Sequence, residues 1–242
     1  MKIKENFQSN SKYLLFSDNK NIIEKRKELM EKIISNNFDK KNNESLKNVD
    51  ISNLIAFDYY HDNYNTKSFT KNIENNIYQI KIVNGSCQNF EDDNIKILNL
   101  TNNDSNFFIE NKTKSLDDLV VDLNSIFLNS GFILTIKKNK NIKLKILNTA
   151  DTNSTIFQQN IINCENGSKL KIIEEFDYLN NTINNIFYSI NSENNSKVEH
   201  NIIQDIKESN NLYFTSHATC NKNTLYNQYI FNFSDGFVRN FH

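Results

Sequence analysis

The C-terminal half of the chain, from about residue 115 to residue 242, is a succession of short strand patterns separated by polar turns. Turn clusters centre near Asn195, Ser209, Lys222 and Asp235, so each strand with its turn takes about 13 or 14 residues. A regular strand–turn rhythm without intervening helices is typical of a β-sandwich or a β-solenoid. The rhythm therefore predicts a mainly β fold.

Glycine is scarce, and its few positions indicate turns. The chain has four glycines and no proline. Glycine reaches positive φ without steric cost, and Asn or Asp tolerates the left-handed region. Each glycine follows a turn-prone residue, which predicts four backbone turns: Asn84-Gly85, Ser130-Gly131, Asn166-Gly167 and Asp235-Gly236.

Period-two alternation marks the strands and their buried faces. It predicts strands near 131–136, 142–147, 155–163, 168–176, 183–190, 197–206, 211–219 and 224–233, with the start of another strand after Gly236. Three strands have clear inward sets: Leu170, Ile172 and Phe176; Ile186, Tyr188 and Ile190; and Val198, His200, Ile202 and Ile206. In the strand near 224–233, the alternating set Leu225, Tyr229, Phe231 and Phe233 is the predicted buried face.

The N-terminal part mixes helical and strand patterns. An amphipathic helix is predicted over 18–36 from apolar-face positions at three-to-four spacing, namely Ile22, Arg26, Leu29, Met30, Ile33 and Ile34. Strands are predicted at 77–83 and 95–100, a short helix at 116–128, and 51–60 is ambiguous between helix and strand. The polar segment 101–115 predicts a boundary between an N-terminal helical and mixed region over 1–115 and a strand-rich core over 116–242.

Composition and charge exclude several classes of protein. The formal charge is −1, with 28 basic and 29 acidic side chains well mixed, so the chain has no footprint for nucleic acid. The apolar run near the start, 13–16, is too short for a signal peptide, and no apolar span reaches about 18 residues. The 47 asparagines are interleaved with apolar residues at strand spacing, unlike a disordered tract. A cytoplasmic protein without membrane contact is expected.

The cysteines do not form a recognisable framework. Cys87, Cys164 and Cys220 are scattered singly, which argues against a disulfide set, and no Cys-x-x-Cys pair suggests zinc. His217 and Cys220 are three apart, so on a strand they point to opposite faces and chelate a metal poorly. Cys164 is interpreted as a small hydrophobe.

Few other side chains suggest chemistry. His200 is predicted to face inward, either as a core histidine bonded to a polar neighbour or as a metal or cluster ligand. Glu174 and Glu175 are adjacent in a strand and face opposite sides, so they cannot act as a paired acid and base. Arg239 is expected at the surface after a turn. Phosphate-loop, nucleophile-elbow and His-Glu-x-x-His motifs are missing from the sequence, and we expect no enzyme.

Several segments resemble one family. Residues 165–176 read Glu-Asn-Gly-Ser-Lys-Leu-Lys-Ile-Ile-Glu-Glu-Phe, and residues 196–204 read Ser-Lys-Val-Glu-His-Asn-Ile-Ile-Gln. Both resemble strands of the SufB/SufD family of iron–sulfur cluster assembly proteins at suitable spacing. Residues 122–132 are similar to that family's entry into its β-helix, and residues 214–217 and 235–240 fit the strands that follow.

The N-terminal part is more similar to the SufD branch. The similarity lies in 26–38, 42–54 and the Val-Asn-Gly run at 83–85. Asp39 stands where the family usually has proline and Leu46 where it usually has tryptophan, which weakens only the N-terminal part of the resemblance. The resemblance covers nearly the whole chain.

The resemblance implies a right-handed parallel β-helix with a helical N-terminal region. It also implies a non-catalytic scaffold subunit of the SUF complex, which pairs with a SufB-like subunit and a SufC-like ABC ATPase. The iron–sulfur cluster is then the assembled product and not a bound cofactor. The family's C-terminal helical domain, with its Lys-Cys-x-His-Gly motif, has no counterpart here, so an N-terminal fragment that tends to aggregate is expected. No catalytic, cofactor-binding or metal-ligating residue is carried over.

Two other functions remain open at the level of the sequence. One is a structural β-solenoid that serves as an interaction module. The other is a β-helix enzyme acting on carbohydrate, which usually needs a cluster of Asp or Glu on one face of a parallel sheet. The sequence shows no such cluster, and co-purification with an ATPase subunit separates the scaffold from the interaction module.

Overall fold

A computed structural model describes residues 20–35, 54, 69–72, 77–100, 119–150, 154–178 and 181–241. These ranges contain helices α1 (Lys20–Ser35) and α2 (Leu119–Phe127) and thirteen strands. The strands are β1 (Phe69–Asn72), β2 (Ile77–Val83), β3 (Phe90–Glu91), β4 (Ile95–Asn99), β5 (Ser130–Ile136), β6 (Asn141–Ala150), β7 (Ser154–Cys164), β8 (Lys169–Tyr178), β9 (Thr182–Ser192), β10 (Lys197–Gln204), β11 (Asn211–Cys220), β12 (Leu225–Asn232) and β13 (Phe237–Phe241). The predicted boundary at 101–115 lies outside the described residues, as does 51–60 apart from Leu54.

The strands form two sheets that coil around one interior. Sheet 1 has the order β1-β2-β6-β8-β10-β12, and sheet 2 has the order β13-β11-β9-β7-β5-β4-β3. From β5 onward, consecutive strands alternate between the two sheets, and each strand pairs in parallel with the strand two further along the chain. Paired residues lie 28 positions apart, as in Lys169–Lys197 and Thr155–Ile183, except between β11 and β13, where the offset is 26, as in Asn211–Phe237. Two strand–turn units therefore make one coil, and the predicted β-solenoid is confirmed, with coils β6–β7, β8–β9, β10–β11 and β12–β13.

One corner of the solenoid is a stacked row of left-handed residues. Asn139, Gly167, Asn195 and Asn223 have φ values of 59°, 72°, 61° and 58° and follow one another at the same 28-residue period. The amides of Asn139, Gly167 and Asn195 each donate to a carbonyl in the next coil at 3.0 Å. Because asparagine and glycine tolerate this conformation, the asparagine-rich turns are a repeated structural element.

Three of the four predicted glycine turns are confirmed. Asn84 and Gly85 both have positive φ and form a two-residue turn, in which Val83 and Ser86 exchange backbone hydrogen bonds. The Asn166-Gly167 turn is part of the corner row, and a bend at Asp235-Gly236 precedes β13.

The turn predicted at Ser130-Gly131 is wrong, because both residues belong to β5. Gly131 has a φ of 151°, and a Cβ atom there would lie 2.0 Å from the backbone oxygen of Gln159 on β7. Glycine is needed here for close approach of two strands and not for a turn.

Strands from the N-terminal region extend the same two sheets. β2 pairs in parallel with β6, and β1 pairs antiparallel with β2. β4 pairs antiparallel with β5 and carries β3 on its other side. The predicted strands at 77–83 and 95–100 are thus confirmed.

Both predicted helices are present and pack outside sheet 2. Asn124 on α2 donates to the backbone oxygen of Asn185 on β9 at 2.6 Å, and Asn185 returns a bond to Val120 at 2.8 Å. On α1, Arg26 is buried and donates to the backbone oxygen of Leu128 at 2.8 Å. These bonds fix the helical layer on the solenoid wall.

The predicted strands of the C-terminal half are confirmed, but the predicted inner face of β12 is wrong. Leu225, Tyr229, Phe231 and Phe233 are 46%, 49%, 48% and 68% exposed. The parallel register with β10 places Tyr226 beside Val198 and Ile230 beside Ile202. Inward residues of β10 therefore fix the other set of β12, Tyr226, Gln228 and Ile230, as its inner face. The aromatic alternation marked the outer face of an edge strand.

Candidate functional site

Buried polar side chains interrupt the apolar core of the solenoid at several positions, and one connected set of them surrounds Glu174. On β8, residues 170, 172, 174, 176 and 178 alternate inward, which buries Glu174 completely. Glu175 faces outward and pairs with Lys145 at 2.9 Å. The prediction that these two carboxylates point to opposite sides is confirmed.

Glu174 accepts hydrogen bonds from two donors on one oxygen and faces an imidazole with the other. Oε1 accepts from the Tyr188 hydroxyl at 2.6 Å and from Asn148 Nδ2 at 2.8 Å. Oε2 lies 2.8 Å from His200 Nε2. All four side chains are 0% or 1% exposed. We call these four residues, Asn148, Glu174, Tyr188 and His200, the interior node.

The coil geometry brings the interior node together from distant parts of the chain. On sheet 1, the Cα partner of Asn148 is Phe176 and that of His200 is Ile172, each two residues from Glu174. Such diagonal neighbours share one face of a sheet. Tyr188 reaches across the interior from sheet 2, where its ring packs against His200 with centroids 5.3 Å apart. One carboxylate thereby links three successive coils and both sheets.

Burial determines the protonation state of the tyrosines around Glu174. Desolvation raises the pKa of Tyr188 well above its ordinary value, and the nearby Glu174 charge raises it further. The pKa of Tyr178 is raised for the same two reasons. Tyr188 therefore stays a hydroxyl that donates to the carboxylate. A buried charge is tolerated only when it is hydrogen-bonded, and these donors meet that need.

The structure places His200 where the core-histidine interpretation has it, bonded to a polar neighbour. Its neighbour is a carboxylate on the adjacent coil, and the ring is fully buried. In the part of the chain that the structure describes, no group of three or more His, Cys, Asp or Glu side chains could hold a metal ion. The geometry gives the interior node a structural role: it fixes the alignment of coils.

Residues 146–241 match the family model described as SUF system FeS cluster assembly, SufBD core domain. The matched segment starts within β6 and ends at the last residue of β13, so it covers the four coils. It contains every member of the interior node. Residues 146–241 belong to the SufB/SufD family. The match supports a role for the chain in SUF iron–sulfur cluster assembly.

The other comparisons add no relative: no curated protein and no solved structure matches the chain significantly. Within the described ranges, none of the helices is both long and apolar enough to cross a membrane.

The remaining candidates of this SufBD core do not form a site. His217 and Cys220 both lie on β11, three residues apart, so they point to opposite faces as predicted. Cys220 is exposed, whereas Cys164 is buried as a small hydrophobe. Burial raises the pKa of the Cys164 thiol to about 12, which keeps it protonated and unreactive.

The expectation that Arg239 lies at the surface is wrong. Arg239 is only 8% exposed, and its guanidinium carbon lies 5.2 Å from the centroid of the Phe241 ring. On β13 it sits beside Tyr213 of β11. A long apolar stem and a planar head that stacks on aromatic rings allow arginine to be buried in this way.

Sequence reasoning missed Asn148 and Tyr188, and it did not connect Glu174 with His200. The 28-residue period between paired strands could have connected Glu174 with His200. Position 202 is one period after Glu174 and two residues from His200, so these side chains are diagonal neighbours on the inner face. Tyr188 was assigned inward, but only the structure shows that its hydroxyl ends at Glu174.

Proposed function

We propose that this chain is a SufD-like, non-catalytic scaffold subunit of the cytoplasmic SUF complex. In this proposal it pairs with a SufB-like subunit and works with a SufC-like ABC ATPase, and the iron–sulfur cluster is the product that the complex assembles. The observation that carries the proposal is the match of the four coils to the SufBD core domain.

The arrangement of the carboxylates supports a scaffold rather than an enzyme. Glu174 is enclosed in the solenoid and bonded on both oxygens. On the outer face of sheet 1, Glu175 pairs with Lys145 and Glu199 pairs with Lys171 at 2.7 Å. Carboxylates held by lysines in this way do not offer the acid and base pair that glycoside hydrolysis uses.

The test is a reconstitution of cluster assembly from purified components with increasing amounts of this protein. The SufB-like and SufC-like proteins of the same organism, iron, a sulfide source and ATP are held constant. A scaffold subunit is expected to raise the yield of cluster until it reaches a fixed stoichiometric ratio to the SufB-like protein.

Two results contradict the proposal in different ways. Full yield at a small fraction of that ratio would mean that the protein turns over as a catalyst. No dependence of the yield on the protein, together with no binding to either component, would leave a solenoid that serves as an interaction module elsewhere.

A further inference from the structure

The outer side of sheet 1 is in contact with water. Helix α2 packs on β7 and β9 of sheet 2, whereas every outward residue of β8 in sheet 1 is exposed or half-buried. The strand register aligns the outward residues of β6, β8, β10 and β12 into rows that cross the four strands. We call these outward residues, together with Asp205 and Phe233 directly after β10 and β12, the sheet 1 face.

Lysines gather at the end of the sheet 1 face where the strands begin. Lys169 and Lys197 lie side by side in one row, and Lys143 and Lys171 lie side by side in the next. Glu199 pairs with Lys171 at 2.7 Å, and within the described ranges the other three lysines have no ion pair. Four lysines against one glutamate leave this end positive. The turns before the strands contribute exposed or half-buried charges of both signs, namely Lys138, Lys140, Lys222, Glu165 and Glu193.

Aspartates gather at the opposite end of the sheet 1 face. Asp177 is exposed near the end of β8, and Asp205 is exposed one 28-residue period later, directly after β10. Lys207 donates to Asp205 at 2.7 Å. This bond raises the pKa of the ammonium group, and the charges of Asp205, Asp235 and Asp177 raise it further. Three carboxylates around one lysine leave this end negative.

The two charged ends do not neutralise each other within one copy of the chain. Lys169 and Asp177 are eight positions apart on β8, which is about 26 Å at about 3.3 Å per residue. That distance is more than twice the screening length of about 10 Å at 0.1 M salt. Between the ends, Lys145 and Glu175 pair with each other at 2.9 Å. Each end is therefore free to attract a surface of opposite charge.

Apolar side chains occupy the middle of the sheet 1 face. Ile173, Tyr229 and Phe231 are 40%, 49% and 48% exposed. Leu147 and Ile203 are half-buried in the same two rows. Burial of such side chains between two sheets is the usual driving force for sheet-on-sheet packing.

We propose that two copies of this chain stack through the sheet 1 face, with the lysines of each copy on the aspartates of the other. A two-fold axis that lies in the interface and runs across the strands produces this arrangement. Lys169 then faces Asp177 of the second copy, Lys197 faces Asp205, and the two apolar middles meet. Because the interface is isologous, each contact forms twice. The stacking does not depend on the proposed SUF partners.

The size of the sheet 1 face predicts a weak dimer. Four strands at about 4.8 Å and eight residues at about 3.3 Å give about 19 Å by about 26 Å, or about 500 Å² of plane per copy. This is at the low end for specific interfaces, so we expect a Kd on the order of micromolar.

Sedimentation velocity on the whole chain tests the stacking. The protein is run from about 1 μM to about 100 μM, at about 0.05 M and about 0.5 M salt. A monomer–dimer equilibrium is expected, and its Kd should rise about tenfold at the higher salt because the charges are screened. A monomer at every concentration, or a dimer that is insensitive to salt, would overturn the proposal.

A charge exchange between the two ends identifies the surface. One variant combines Lys169→Glu with Lys197→Glu, and the other combines Asp177→Lys with Asp205→Lys. Each variant alone places like charges at both contacts, so its Kd should rise at least about a hundredfold. An equimolar mixture restores opposite charges at both contacts and should form a dimer that contains one copy of each variant. A dimer of either variant alone, or a mixture that stays monomeric, would refute the assigned face.

The control variant changes the same number of charges on the other side of the solenoid. Lys25→Glu with Lys27→Glu alters two exposed lysines of α1 and should dimerise as the wild type does. A loss of dimer in this control as well would mean that net charge and not the sheet 1 face governs association. Because all the substituted positions are exposed, the fold should be retained, and circular dichroism checks it. If a variant loses its β spectrum, the salt series on the wild type decides alone.

Discussion

The interior node makes a quantitative prediction through one hydroxyl group. Tyr188→Phe removes the bond that Glu174 Oε1 accepts at 2.6 Å and leaves the ring in place. The ring contacts are retained, with centroids 5.3 Å from His200, 5.5 Å from Phe214 and 6.3 Å from Phe132. The variant therefore isolates one hydrogen bond to a buried carboxylate.

The expected loss of stability follows from the partners that remain. A hydrogen bond to a charged group contributes about 1.5–3 kcal/mol. Glu174 keeps Asn148 on Oε1 and His200 on Oε2, so the carboxylate is still partly satisfied. We expect the free energy of unfolding to fall by about 2 kcal/mol. With a urea m-value of about 3 kcal/mol/M for a chain of this size, the midpoint drops by about 0.7 M.

Urea unfolding at neutral pH, followed by circular dichroism, measures this loss. Tyr229→Phe on the outer face of β12 is the matched control, because Tyr229 is 49% exposed. Its midpoint should change by less than the equivalent of about 0.5 kcal/mol. If Tyr188→Phe were as stable as this control, the carboxylate would not depend on the tyrosine, and the interior node would not fix the coils as described.

Three further predictions use neighbouring or matched positions. Ile172→Ala, at a fully buried position, should lower the free energy of unfolding in urea by about 2–5 kcal/mol. Ile173→Ala, at a position that is 40% exposed, should lower it by under about 1 kcal/mol. Equal losses would contradict the assigned inner face of β8. The Asn223→Ala protein should be less stable than the Asn223→Gly protein by about 1 kcal/mol, because residue 223 has a φ of 58°. Both substitutions remove the hydrogen bond that Asn223 Nδ2 donates to Asn195 Oδ1 at 3.2 Å, so equal midpoints would mean that the left-handed backbone costs nothing. Burial raises the pKa of the Cys87 and Cys164 thiols to about 12, whereas Cys220 is exposed. At pH 8 only Cys220 should therefore react rapidly with a thiol reagent, and Cys220→Ser should abolish that reaction. A second fast thiol would show that the interior is open.

Much of the fold could be predicted from the sequence because strands, turns and period are local signals. Alternation located β8, β9 and β10, and the strand–turn length of about 14 residues is half of the 28-residue coil. The inner face of β12 could not be obtained locally. Both of its faces carry apolar residues, and only pairing with β10 decides that Tyr226 and not Tyr229 turns inward.

The interior node was harder to predict than the fold because it depends on contacts between coils. The sequence places Glu174 and His200 on inner faces, but it does not show how close their side-chain ends lie. The burial of Arg239 was missed for a similar reason, because its neighbours include Tyr213 on the adjacent strand as well as the Phe241 ring. Side-chain partners across coils are tertiary facts, which the local pattern of one strand cannot contain.

Co-purification from the native cells tests the central claim most directly. The protein is tagged at its N-terminus at its own locus, and the material it retains is analysed by native mass spectrometry. The account predicts one assembly that contains this protein, a SufB-like subunit and a SufC-like ATPase. Recovery of the protein without either of them, from cells in which those two proteins form a complex with each other, would contradict it.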